Sequence, residues 1–179
     1  MAITYTTGNE PAADVQAAIQ YVRQSASVLR IDENRIGLWA CSGNVPNALS
    51  VLMQGAQDYL KCAVFSYGLM LDLEGATTIA DAARQWRFAN PCVGKSVADL
   101  PREVPLFIVR AGMDETPHLN ETIDRFLSQA LTCNLAITFV NHSTAPHSFD
   151  IVDDSEMSRE VVRQILAFMR FHLLELSEK

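Results

Sequence analysis

The sequence predicts an α/β fold: one mostly parallel sheet of about five strands, with helices on both faces. Short apolar runs alternate with amphipathic helical patterns along the chain, which is the rhythm of parallel βαβ units. Some of the runs are apolar at nearly every position, as in strands buried on both faces of a sheet. With 179 residues in total, we expect residues 1–179 to form a single domain.

The first part of the chain predicts three strands separated by two helices. The first strand ends in a turn-forming cluster, Thr6-Thr7-Gly8-Asn9. Pro11 suits the first turn of a helix, and apolar residues then recur at three- and four-residue steps as far as Leu29. The strands predicted here are residues 2–5, 35–40 and 62–67, and the helices are residues 11–29 and 45–53.

The second part repeats this alternation after an irregular segment. Residues 71–101 combine a helical patch at 78–86 with proline and glycine, and we expect a helix-and-loop excursion that acts as a partial lid. Asn120 and Ser155 are candidate helix caps. The remaining predicted elements are strands at 105–111 and 135–140 and helices at 119–131 and 161–174.

Composition argues against several classes of partner. The net charge of -7 disfavours binding to nucleic acid. The lysines and arginines are scattered, and no apolar run reaches membrane-spanning length. No two of the four cysteines form a CxxC pair, so zinc and redox spacings are absent. We therefore expect a cytoplasmic protein with free thiols, no metal and no cofactor.

Three chemically useful side chains follow the ends of three predicted strands: Ser42, Asp114 and His147. Active residues of open α/β sheets gather beyond the carboxyl ends of the strands. A serine there can act as a nucleophile, a histidine as its general base, and an acid can orient the histidine. Each residue also has an ordinary structural alternative: helix cap, turn residue and packed surface histidine.

Other residues compete for these roles less well. Glu115 is a second candidate acid, but it points elsewhere if Asp114 points inward. His142 lies too close to the end of its strand to reach across the site. Cys41 is a nucleophile by chemistry, but its place in the turn should direct it into the core. The other two histidines, His118 and His172, lie on or beside predicted helices.

The segments 32–44, 110–115 and 145–149 resemble the α/β-hydrolase superfamily in its dienelactone-hydrolase-like branch. The resemblance runs from about residue 2 to the C-terminus. It implies that Ser42 is the nucleophile, Asp114 the acid and His147 the base in a cofactor-free hydrolysis of esters, lactones or related acyl compounds. Dienelactone hydrolases proper carry cysteine where this chain has Ser42, so their substrate does not transfer.

Two departures from the family pattern stand out. The G-x-S-x-G elbow is here Ala40-Cys-Ser-Gly-Asn44, and asparagine is tolerated at position 44 because it accepts unusual backbone angles. Family members usually begin with three further strands and a loop, often His-Gly-Gly, that supplies an oxyanion N–H. The sequence contains no Gly-Gly, so we expect that loop to be missing and the N–H of Gly43 to remain as one donor.

Two functions fit these observations. The first is a serine ester hydrolase that acts on a small-molecule acyl substrate through an acyl-enzyme, with Tyr67, Trp86 and Phe88 as candidates for an acyl pocket. The alternative is a catalytically weak or inactive shortened hydrolase that acts mainly as a self-associating scaffold. Without further strands, residues 2–5 or 35–40 form an exposed sheet edge, and such edges favour a homodimer.

Overall fold

A computed structural model describes residues 11–55, 57–87 and 89–174. Their sheet has four strands in the order β1-β2-β3-β4, and every neighbouring pair is parallel. The predicted α/β class with a parallel sheet is therefore confirmed; the strand expected at residues 2–5 lies outside the described residues. The strands are Ile36–Cys41 (β1), Leu60–Ser66 (β2), Leu106–Ala111 (β3) and Ile137–His142 (β4).

Helices connect the strands and cover the sheet on both sides. They are Pro11–Gln24 (α1), Ala26–Leu29 (α2), Val45–Leu52 (α3), Thr78–Trp86 (α4), Leu119–Thr132 (α5), Phe149–Val152 (α6) and Glu156–Leu174 (α7). Short 3-10 turns occupy Ser42–Asn44 and Val97–Asp99. Since each parallel pair of strands needs a crossover, α3, α4 and α5 lie between successive strands.

Several element boundaries differ from the sequence-based expectation. The last helix begins at Glu156, and the Ser155 hydroxyl accepts the Ser158 N–H at 3.2 Å, as expected of a cap. Asn120 does not cap α5 but lies inside it. β4 starts at Ile137 and not at residue 135, because Asn134 is left-handed and the Leu135 N–H bonds the Ala130 carbonyl at 3.0 Å. This is how an α-helix closes its C-terminus.

Two apolar cores, one on each face of the sheet, hold the layers together. On β2, Ala63 and Phe65 point to the face covered by α1, α3 and α5, whereas Val64 points to the face covered by α7. Phe126 of α5 is fully buried in the first core and Ile165 of α7 in the second. The alternation follows from the period of two along a strand, and it explains why β2 is apolar throughout.

The excursion at 71–101 is built into the first core. Both carboxylate oxygens of Asp72 accept N–H groups at the start of α4, from Ile79 at 2.8 Å and Ala80 at 2.9 Å. Six buried apolar residues of the segment belong to the same cluster as the strands: Leu71, Leu73, Ile79, Cys92, Val97 and Leu100. The segment is therefore part of the packed fold, and its role as a partial lid stays a prediction.

All four cysteines are free thiols. Burial raises the pKa of Cys62 to about 11 and that of Cys92 to about 12, so both thiols are neutral. The Cys92 thiol donates to the Pro46 carbonyl at 3.2 Å, which ties the excursion to the start of α3. None of the helices described in residues 11–174 has the length and apolar character needed to cross a membrane.

Candidate active site

Ser42 lies on a sharp turn between β1 and α3. Cys41 is still extended, Ser42 is left-handed with φ 54°, and Val45 is already helical. A left-handed backbone is uncommon for residues other than glycine and marks local strain. The strain falls on Ser42 alone, because Asn44 has ordinary angles (φ -85°, ψ -11°). Our explanation for the tolerance of Asn44 is therefore wrong: the position requires no unusual geometry.

Two glycines near this turn have different environments. A Cβ on Gly68 would lie 2.6 Å from the Ser42 carbonyl oxygen and 2.3 Å from Val45 Cγ2, so only glycine fits. A Cβ on Gly43 would meet nothing within 4 Å. The Gly43 N–H belongs to the first turn of a helix, where N–H groups have no partner within the helix. Sequence reasoning missed Gly68, although a glycine just after an apolar strand was a usable signal.

A hydrogen-bond chain joins the three residues singled out from the sequence. Ser42 Oγ lies 2.8 Å from His147 Nε2, and His147 Nδ1 lies 2.6 Å from Asp114 Oδ2. An ionised carboxylate can only accept, so Nδ1 carries the proton and Nε2 is left to accept from the serine hydroxyl. An imidazole with this tautomer can remove the proton of the hydroxyl while the acid stabilises the resulting charge.

The loops that carry the acid and the base are bonded to each other. The Asp114 side chain is fully buried (0% exposed), and its second oxygen accepts the Thr116 N–H at 2.9 Å. The Met113 N–H donates to the Ala145 carbonyl at 2.8 Å. A Cβ on Gly112 would lie 2.5 Å from the backbone oxygen of Ser143, so glycine is required for the two loops to approach.

The competing acids and histidines lie elsewhere. Glu115 is exposed, next to the buried acid. His142, the last residue of β4, is buried, and its Nε2 lies 2.9 Å from Ser158 Oγ. His118 is exposed, with its Nδ1 3.1 Å from a neighbouring glutamate. His172 packs between aromatic rings of α7, and burial lowers its pKa.

The Cys41 side chain packs in the second core, behind the turn. Burial raises the pKa of its thiol, although hydrogen bonds from Tyr67, Ser66 and Trp39 act in the opposite direction. A neutral, partly buried thiol is a weak nucleophile. Its placement agrees with the expectation that this side chain turns into the core.

A groove of about 480 Å³ runs between α4 and the start of α5. Trp86, 59% exposed, lies on its wall with Leu69, Thr116 and Arg125. Tyr67 does not line this groove; it is buried beside His147. Two of the residues expected in one acyl pocket therefore lie apart, Trp86 on the groove and Tyr67 beside His147. The third, Phe88, lies outside the described residues. Within those residues, no three His, Cys, Asp or Glu side chains are grouped as metal ligands.

Several solved structures with a similar fold are esterases. An esterase from the fungus Rhizomucor miehei matches 93% of this chain with a TM-score of 0.73 and 16% identity, over 61% of its own length. Esterase Est2 of Thermogutta terrifontis matches 94% with a TM-score of 0.69 and 20% identity, over 66% of its length. A thermostable esterase from Pseudomonas putida matches 91% with a TM-score of 0.71 and 13% identity, over 59% of its length.

These likenesses show the fold class: the chain has the α/β-hydrolase fold, as its sequence predicts. It spans about three fifths of the length of the esterases it matches. No protein-family model and no curated protein sequence matches it. The activity, the substrate and the roles of individual residues therefore rest on the site itself.

Proposed function

We propose that the protein hydrolyses carboxylic esters through a serine nucleophile and an acyl-enzyme intermediate. The observation that carries the proposal is the continuous hydrogen-bond chain from Asp114 through His147 to Ser42. It ends on a strained turn, and strain in a folded protein is retained where the surrounding structure enforces it, commonly at active sites. The esterases with similar folds favour this reaction class over other acyl transfers.

The proposed reaction has two stages. Ser42 Oγ attacks the ester carbonyl carbon while His147 Nε2 takes its proton, and Asp114 stabilises the imidazolium. The tetrahedral oxyanion forms near the Gly43 N–H and the N-terminus of α3, where positive partial charge is available. The intermediate collapses as His147 protonates the leaving alcohol. Water then attacks the acyl-enzyme with His147 again as base, which frees the acid and restores Ser42.

The substrate class we propose is a small ester or lactone, in line with the resemblance to dienelactone-hydrolase-like proteins. Among the described residues we assign the Gly43 N–H as an oxyanion donor. Removing one of two oxyanion donors typically costs about 100- to 1,000-fold in rate, so hydrolysis that relied on Gly43 alone would be slow. A second N–H supplied by another segment would raise the rate by a similar factor.

We also propose a homodimer in a reducing, cytoplasmic setting. In the described part of the chain β1 pairs with β2 alone, and a strand with an unpaired edge is a template for a second copy. All four cysteines are free thiols, as suits a reducing compartment. Light scattering at micromolar concentration should give the mass of two chains, and a stable monomer would exclude this assembly.

Ester hydrolysis is tested with a short-chain p-nitrophenyl ester and three proteins: wild type, Ser42→Ala and Ser128→Ala. Ser128 is an exposed serine of α5 and serves as the matched control. We expect Ser42→Ala to lose about 1,000-fold or more in kcat/KM, because no nucleophile remains, and Ser128→Ala to keep the wild-type rate. Equal rates for wild type and Ser42→Ala would refute the proposal.

A fluorophosphonate probe gives a second, independent test. It reacts with activated serines, so peptide mapping should find the label on Ser42 and nowhere else. His147→Gln should abolish labelling, because the hydroxyl then has no base to remove its proton. Labelling of Ser42 that survives this change would contradict the role assigned to His147.

A further inference from the structure

Tyr67 has an unusual backbone directly after β2. Its φ is 38°, in the left-handed region, although it is a bulky residue. Such a conformation is a genuine outlier, and it persists only where surrounding contacts enforce it. Its N–H donates to the Val109 carbonyl at 2.8 Å, which anchors the residue to β3. Tyr67 is 2% exposed, so its ring lies in the interior, beside His147.

The ring of Tyr67 contacts the segment that carries the base. It meets the His147 imidazole edge-on, with ring centroids 5.0 Å apart and planes at 68°. It meets Phe149 in the same way, at 5.5 Å and 77°. Its hydroxyl donates to Asp150 Oδ1 at 2.5 Å. One side chain from the sheet therefore contacts three of the four residues from 147 to 150.

The sheet holds Tyr67 from the other side. Its hydroxyl also interacts with the Cys41 thiol, which precedes Ser42, and this interaction shifts the pKa of both groups. The Trp39 indole N–H donates to Ser66 Oγ at 3.2 Å, one residue before the tyrosine. Burial and Asp150 raise the pKa of Tyr67, so the hydroxyl keeps its proton and remains a donor. The tyrosine thus connects the strand that leads to the nucleophile with the loop that carries the base.

The imidazole of His147 needs such support. It is 34% exposed and has hydrogen bonds only at its two nitrogens, to Ser42 and Asp114. The next residue, Ser148, has a left-handed backbone. When the serine has been acylated, the bond to Ser42 Oγ no longer exists, and the ring is held by Asp114 and by packing.

We propose that Tyr67 is a positioning residue that keeps the His147 ring aligned with Ser42, and that Asp150 fixes Tyr67 by accepting its hydroxyl. This inference rests on the proposed ester hydrolysis. It assigns a function to the left-handed backbone of Tyr67, since the residue with that backbone contacts both His147 and Phe149. The hydroxyl sets the depth of the ring, and the ring sets the orientation of the imidazole.

The test compares Tyr67→Phe, Tyr67→Leu and Asp150→Asn with wild type, and Tyr21→Leu serves as the control because Tyr21 is exposed on α1. Misplacement of a catalytic group by about 1 Å can cost about 100-fold. We expect Tyr67→Leu to lower kcat by about 30- to 100-fold with KM within twofold. Tyr67→Phe keeps the ring and should restore most of that loss, leaving a deficit of about 3- to 10-fold. Tyr21→Leu should match wild type.

The hydrogen bond between Tyr67 and Asp150 is tested by comparing the single variants with the double variant. Asp150→Asn keeps an oxygen that can accept the hydroxyl but removes its charge, so its deficit should lie between wild type and Tyr67→Phe. The double variant should be no worse than Tyr67→Phe, because Tyr67→Phe already removes the contact. Wild-type kcat in Tyr67→Leu, or equal losses in Tyr67→Phe and Tyr67→Leu, would overturn the inference. If Tyr67→Leu does not fold, Tyr67→Phe and Asp150→Asn decide: wild-type kcat in both would overturn it.

NMR separates this inference from the proposed function. In protein with labelled histidine, the His147 ring resonances are assigned by their loss in His147→Gln. We expect one sharp set in wild type and Tyr67→Phe, and a broadened or doubled set in Tyr67→Leu. If wild type cleaves no ester, the proposed function fails while this measurement still reads the position of the ring. A single sharp set in Tyr67→Leu, at whatever chemical shift, would refute the positioning role.

Discussion

The turn that carries the serine and the loops that carry the acid and the base are held in place by different forces. Ser42 is fixed locally, by a left-handed backbone and by the close approach of Gly68. Asp114 and His147 are fixed at long range, by hydrogen bonds between segments about thirty residues apart in the sequence. Steric fixing tolerates very few substitutions at its contact points. Hydrogen-bonded fixing should fail gradually as single bonds are removed.

The largest effect should come from the acid. Asp114→Asn keeps the shape of the side chain but removes its charge, and the amide favours the wrong tautomer of His147. We expect kcat to fall by about 10,000-fold, with the free energy of unfolding little changed. Glu115→Gln is the matched control, because Glu115 is exposed and adjacent. A large loss in the glutamate variant, with none in the aspartate variant, would move the acid to position 115.

Gly112→Ala tests the contact between the two long-range loops. The added methyl would meet backbone atoms of Ser143 at 2.5 to 2.8 Å, and backbone cannot rotate away. Overpacking of this kind typically costs about 1–3 kcal/mol, and we expect the upper end together with a fall in kcat of about 100-fold. Thermal unfolding and ester kinetics check both numbers. A variant with wild-type stability would show that the loops can separate freely.

Gly68→Ala tests the steric fixing of the nucleophile, with Gly43→Ala as its control. The Gly68 methyl would collide with the Val45 side chain and the Ser42 carbonyl, whereas the Gly43 methyl would meet open space. We expect a loss of about 1–2 kcal/mol for Gly68→Ala and less than about 0.5 kcal/mol for Gly43→Ala. Denaturant melts measure the difference, and equal losses would mean that the turn is not held by this contact.

The smallest effect should be a gain in stability. Ser42→Gly removes the side chain that makes φ 54° unfavourable, whereas Ser42→Ala keeps the strain. We expect the free energy of unfolding of Ser42→Gly to exceed that of Ser42→Ala by about 0.5–1 kcal/mol. This difference already includes the larger conformational entropy of glycine in the unfolded chain. Both variants should be inactive, so urea melts decide. Alanine as the more stable variant would indicate that the turn carries no strain.

Much of the fold and of the site could be predicted because the signals are local. Each strand and helix has its own apolar period, and one topological rule brings the residues after parallel strands to a common edge. That is why Ser42, Asp114 and His147 could be selected before any distance was known. Tyr67 could not be given its present contacts, because no topological rule pairs it with Asp150, 83 positions further along the chain. The left-handed backbone of Tyr67 cannot be predicted from the hydrophobic pattern of the sequence.

The predictions that proved wrong also have physical explanations. Asn44 was credited with unusual angles because the elbow motif has glycine there, but the strain falls entirely on Ser42. β4 starts two residues late because Asn134 closes the preceding helix with a left-handed turn that uses Leu135. Asn120 was expected at a helix end, yet its amide donates to the Ala111 carbonyl at 2.9 Å, below the acid loop. For β4 and for Asn120, a capping or tertiary hydrogen bond overrode the local propensity.

The core packing of residues 71–101 divides that segment into an inner and an outer part with different freedom to vary. The inner residues, such as Ile79 and Val97, fold the protein, and their replacement would cost stability before it changed selectivity. The outer residues, such as Trp86 on the groove, are solvent-exposed and contribute little to stability. A library that randomises only the outer residues would therefore test whether the groove selects substrates, on a scaffold that still folds.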